Sequence, residues 1–152
     1  MVKRLVALVA VLSILWLTSG CAINKATASL TPGSSLSGVK SFYVVKLPED
    51  KNGVDELIRK RLVTMGYSAT VGPERSVPYK ADAVVTYTDK WMWDMTMYMI
   101  ELTITVRNPA SNFPMATGNS MHTSLTRKSP EEMVEEVLTN IFKASKEGKS
   151  VQ

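Results

Sequence analysis

The sequence predicts an α+β domain: a two-layer sandwich of order β-α-β-β-β-β-α, with a mixed, mostly antiparallel sheet and two helices on one face. Three observations carry this. Strand-like runs fall at residues 41–47, 67–71, 82–90, 92–107 and 115–127. Apolar residues recur at helical spacing over 54–65 and 133–142. The helical stretches stand singly, one after the first strand and one at the end, so both apolar stripes find cover against one sheet.

Met1 to Gly20 precedes this domain. Lys3 and Arg4 lead an apolar run from Leu5 to Leu17, and Thr18-Ser19-Gly20 leads to Cys21, the only cysteine. The run is about 13 residues, where a spanning helix needs roughly 20, so it reads as a processing segment. Small residues before a lone cysteine resemble the signal of bacterial lipoproteins. That resemblance implies cleavage before Cys21, lipid attached to it, and attachment to a membrane. Ala22, rather than an aspartate, follows the cysteine, which in that family implies the periplasmic face of the outer membrane. Thr18 stands where the family usually has leucine.

Residues 21–38 read as the lipidated cysteine and a flexible tether, because 26–38 is small, polar and rich in turn formers. Residues 39–146 read as one periplasmic domain and 147–152 as a frayed tail. Without Lys3 and Arg4 the 18 basic residues fall to 16 against 14 acidic, so the basic pI overstates the domain's charge. No dense Lys/Arg run points to nucleic acid. One cysteine permits no disulfide within the chain.

Ser41 to Leu47 is apolar on both faces at its centre, which predicts an interior strand. Val54, Leu57, Ile58, Leu62 and Met65 make the first helix, with Asn52 or Gly53 at its start and Gly66 at its stop. Tyr67–Val71 is a short strand, and Pro73 and Pro78 mark a loop. The β-α-β step predicts a parallel crossover, and the strands after it an antiparallel meander. Ser129-Pro130-Glu131-Glu132 is a capping box with proline at the first helical position, opening a helix whose buried stripe runs Met133, Val134, Val137, Leu138, Ile141, Phe142.

The most unusual stretch is 91–101. Read as one long strand, 92–107 puts Ile100, Leu102, Ile104 and Val106 on the core face, and Trp93, Met95, Met97 and Met99 on the other. Pairing Arg107 with Pro114 sets Met99 opposite His122, the only histidine; a slip of one residue turns His122 inward. Either a bulge switches faces, or a Trp/Met patch lies outside the sheet. Such a face packs against other chain, or receives a partner. It also offers soft ligands: Met95, Met97, Met99 and His122 suit Cu(I). Trp93-Asp94-Met95-Thr96-Met97 resembles the Trp-x-x-Met-x-Met site of periplasmic copper and silver chaperones, one residue shorter, and that resemblance implies a Cu(I) or Ag(I) site.

Catalytic patterns are sparse. There is no Gly-x-Ser-x-Gly elbow, His-Glu-x-x-His or phosphate-binding glycine loop. Glu131, Glu132, Glu135 and Glu136 sit in the first turns of a helix, favourable to its dipole. Asp82, Asp89, Asp94 and Glu101 are the carboxylates from which a hydrolase pair would be drawn. The expectation is a non-catalytic lipoprotein acting as a binding or assembly accessory in the cell envelope, with an envelope protein as partner. The alternatives are a Cu(I)/Ag(I)-binding lipoprotein and, third, an envelope hydrolase.

Overall fold

The computed structural model describes residues 22–148. Residues 1–20, the expected processing segment, Cys21, and residues 149–152 of the tail expected to fray lie outside the described residues. The fold is the expected α+β sandwich, a mixed six-stranded sheet with two helices packed on it. The strands are β1 (Asn24–Leu30), β2 (Ser41–Val45), β3 (Ser68–Gly72), β4 (Ala83–Asp94), β5 (Thr96–Arg107) and β6 (Pro114–His122). The helices are α1 (Val54–Thr64) and α2 (Pro130–Glu147). Sheet order is β1-β6-β5-β4-β2-β3.

The segment expected to be a tether instead carries the first strand. β1 pairs antiparallel with β6 along its whole length, Asn24 with His122 through Leu30 with Ala116. Its helix-side face is Ala26, Ala28 and Leu30, and Ala28 is buried. The alternation of an ordinary strand is present in the sequence, but the side chains are small where α2 lies against this strand. The domain therefore begins at about residue 24 rather than 39.

β2 pairs parallel with β3 and with β4, so the interior strand and the parallel crossover are as the pattern predicts. α1 starts after Gly53, whose φ of 70° suits glycine, with no side-chain cap on Gly53 itself. Asp50 supplies the acceptors instead, taking the backbone N–H groups of Asn52, Gly53 and Asp55. Gly66, at φ 94°, ends the helix. α2 opens on the expected capping box, Ser129 and Glu132 satisfying each other's backbone N–H.

Val44, Val85, Leu102, Ile104 and Val106 from the sheet meet Ile58, Leu62, Val137, Leu138 and Ile141 from the helices in one core. Gly118 lets α2 close on β6. A Cβ there would lie 2.8 Å from Val137 Cγ1 and 2.9 Å from Ile141 Cγ1. On the opposite face the 73–82 loop covers a small cluster of Tyr43, Val45 and Val84 with Tyr79 and Ala81.

Candidate functional site

The turn between the strands expected over 82–90 and 92–107 falls at Met95 instead of residue 91, so 92–94 belong to β4 and not to the strand expected over 92–107. β4 runs through Trp91 to Asp94, Met95 turns the chain at φ 58°, and β5 starts at Thr96. Trp93 pairs with Met97, and Asp94 with Thr96. The ladder shifts between Lys90 and Trp91: Lys90 pairs with Glu101 but Trp91 with Met99, leaving Ile100 as the extra residue. This bulge switches faces. Leu102, Ile104 and Val106 on one side of it and Met99 on the other all point to the helix layer and are buried.

A second shift separates Val106 from Arg107. Arg107 pairs with Pro114 as the sequence predicts, but Val106 then faces Ala116, and Glu101 faces Met121. The register has slipped by one, so His122 points inward and is fully buried. The expected Met99–His122 pairing on an outer face is thereby overturned.

The residues of the expected Cu(I) site are divided by these shifts. Met99 and His122 are buried in the domain, whereas Met95 and Met97 are 87% and 60% exposed. Met95 is a turn residue and not part of a one-faced Met-x-Met-x-Met strand. His122 Nε2 is engaged by Glu136 Oε2 at 2.7 Å, and its Nδ1 is buried without a hydrogen-bond partner. Among the described residues no group of three or more His, Cys, Asp or Glu is placed to hold a metal ion.

Glu136 lies in the first turns of the last helix, as the sequence indicates, but sequence reasoning missed its bonds to the sheet. It reaches back to β6, accepting from Ser120 Oγ at 2.6 Å and from His122, while its other oxygen meets Lys128 Nζ. Burial by itself raises its pKa, but the bonds from Lys128, Ser120 and His122 outweigh it and hold the carboxyl at about 2. Its spacing, one residue before the stripe position Val137, was the available clue. The carboxylates considered for hydrolysis are likewise occupied. Asp82 takes the N–H groups of Lys40 and Ser41, Asp89 the Trp91 indole, and Glu101 Lys90 and Asn119.

The most exposed large apolar residues among those described lie at one end of the sheet. Beyond the last helix-covered rung stand Trp93 (72% exposed), Met95, Met97 and, on the other face, Met92. Leu125, 81% exposed, stands in a 3-10 turn, Ser124–Thr126, hydrogen-bonded to the hairpin. Polar contacts tie this turn to both neighbours. Ser124 Oγ bonds Asp94, Arg127 donates to Thr96 Oγ1 at 2.9 Å, and Thr123 N donates to Ile23 O at 3.1 Å. The Arg127 guanidinium also lies over the Tyr98 ring at 4.5 Å. The start of β1, the 3-10 turn and the hairpin tip thus form one continuous surface, with a groove of about 290 Å³ between hairpin and α2 start lined by Trp91, Met97, Met99, Arg127 and Pro130.

No family model matches the chain, and no curated protein matches it at a significant level. Among solved structures, it is similar to a point variant of the PelC dodecamer from Paraburkholderia phytofirmans. The TM-score is 0.60 at 12% identity, covering 77% of this chain and 96% of that one. A second crystal form of the PelC dodecamer from the same organism gives a TM-score of 0.54 at 10% identity, covering 81% and 96%. At such identities the likeness is one of fold. Among the described residues no helix is long and apolar enough to cross a membrane.

Proposed function

We propose that this chain is a lipid-anchored, non-catalytic accessory of the bacterial cell envelope, held through Cys21 on the periplasmic face of the outer membrane and working by binding or assembly. The observation that carries the reading is the lone cysteine behind a short apolar leader, three residues ahead of an edge strand of the sheet. The commitment of the histidine and the candidate carboxylates to hydrogen bonds within the fold supports a role in contact rather than chemistry. PelC, of like fold, is described as a dodecamer. Association of copies of this chain is therefore the form of assembly to test first.

Two measurements test the reading. Cells fed an alkyne fatty acid should label the protein, and Cys21→Ser should abolish the label. A fully processed but unlabelled protein would overturn the anchor. Light scattering of the detergent-extracted protein should then give a mass above one chain, and a strictly monomeric protein at all concentrations would remove self-assembly from the proposal.

A further inference from the structure

Among the described residues the four most exposed large apolar side chains, Met95, Leu125, Trp93 and Met97, stand on the β4–β5 tip and on the 3-10 turn bonded to it, at the end of the sheet from which the chain leaves toward Cys21, while Phe113 lies at the opposite end. Asn24 is the first residue of β1 and pairs with His122, the last of β6. One rung away, Lys25 and Met121 align with Glu101 and Lys90, from which β5 and β4 run on past Asn24 to the Trp93–Met97 tip. Ile23 is fixed to the 3-10 turn bearing Leu125 by its N–H to Thr123 Oγ1 at 3.0 Å. Only Ala22 separates Ile23 from Cys21, so the cysteine can stand no more than about 7 Å from this end.

We infer that this end is a membrane-seating surface: Trp93, Met95, Met97 and Leu125 dip into the headgroup and upper acyl region of a phospholipid bilayer, in the plane where the acyl chains of Cys21 insert. The inference rests on the lipid-anchor reading above and names what its exposed face touches. Trp favours the membrane–water boundary, where its ring is half apolar and its N–H stays wet. Methionine is unbranched and adapts to disordered surroundings such as acyl chains. The tip is one turn and two strands wide, a poor match for the roughly 800 Å² each partner brings to a stable protein interface. A fluid surface needs no matching shape. Asp94, Thr96, Ser124 and Arg127, which bond one another just behind the tip, fall at the level of the polar headgroups. Anchor and hairpin together fix the domain's orientation, which a lipid on a free chain would leave open.

The test uses the full chain, expressed and extracted from its membranes, in a Trp16→Phe/Trp91→Phe background that leaves Trp93 the only indole. Mass spectrometry reports whether Cys21 is acylated. The protein is reconstituted in phosphatidylethanolamine–phosphatidylglycerol vesicles with and without brominated acyl chains. Trp93 emission should shift to the blue and lose most of its intensity in brominated vesicles. Met95→Asp/Met97→Asp, both exposed and so compatible with folding, should restore the emission while the acyl mass and thermal transition stay unchanged. Unquenched Trp93 beside an acylated Cys21 overturns the seating and leaves the anchor standing. A blue shift without quenching that grows with protein concentration assigns the tip to a second copy and also overturns it. Quenching without acyl mass supports seating by the hairpin and overturns the anchor.

Discussion

His122 Nε2 donates to Glu136 Oε2 across 2.7 Å, joining the last residue of β6 to the second turn of α2. The same carboxylate gathers Ser120 and Lys128. One acidic side chain thus fastens the helix over the sheet end that carries the exposed hairpin, and a carboxylate with this many donors is expected to stay ionised well below its usual range.

The first prediction concerns acid. Glu136 is held at about 2 against an ordinary 4.5, so its contribution to stability is complete above pH 4.5 and is lost as pH falls toward 2. A shift of that size corresponds to about 3 kcal/mol. Urea unfolding followed between pH 7 and pH 2 should show that loss in the native chain. Glu136→Gln should be less stable by about 2–3 kcal/mol at neutral pH and flatter across the acid range.

A second prediction tests the close approach of α2 to β6. Gly118→Ala sets a methyl against Val137 and Ile141, neither a flexible surface side chain. The expected cost is about 1–3 kcal/mol, read as a lowered Tm or urea midpoint. Val137→Ala should cost less in the Gly118→Ala background than it does alone, because it removes the methyl that the new Cβ meets, and a double-mutant cycle measures the difference.

The loop that starts α1 gives a third. Tyr87 Oη donates to Asp50 Oδ2 at 2.6 Å, and Asp50 also takes three backbone N–H groups. Burial raises the Asp50 pKa, and Tyr87 with the backbone donors brings it below the ordinary carboxylate value. Tyr87→Phe should cost about 1–2 kcal/mol and speed amide exchange at Gly53 and Asp55, where hydrogen-exchange mass spectrometry would see it.

Helix capping supplies the fourth. Ser129→Ala removes one half of the capping box and should cost about 1 kcal/mol. Ser129→Asp should restore most of it, because a carboxylate oxygen can take the same Glu132 N–H.

The sequence made α2 legible down to its cap, because Ser129, Pro130 and Glu132 are local devices whose effect needs no distant partner. β2 was legible for a related reason: a strand buried on both faces is continuously apolar. β1 was not, because Ala26 and Ala28 are small to suit a helix whose closeness no local pattern records. The hairpin at Met95 was hidden because its turn lacks glycine and proline, and strand-like residues continue through it. The two bulges, at Ile100 and near Met115, then decided the site. Each adds one residue to one strand, and together they carried Met99 and His122 inside. The Trp93–Met97 exposure was readable as an apolar patch, but its company was not. The turn bearing Leu125 joins it through hydrogen bonds spanning 30 and 31 residues, and Ile23 joins that turn through one spanning 100.

The early start of β1 has a mechanical side. Its seven rungs to β6 lie across the strand axis, so they bear a pull along that axis together. A tug from the N-terminal end therefore loads those rungs in shear, all at once, instead of unzipping them one by one. An edge strand that looks expendable is the part of the sheet best placed to resist a pull from the N-terminal side.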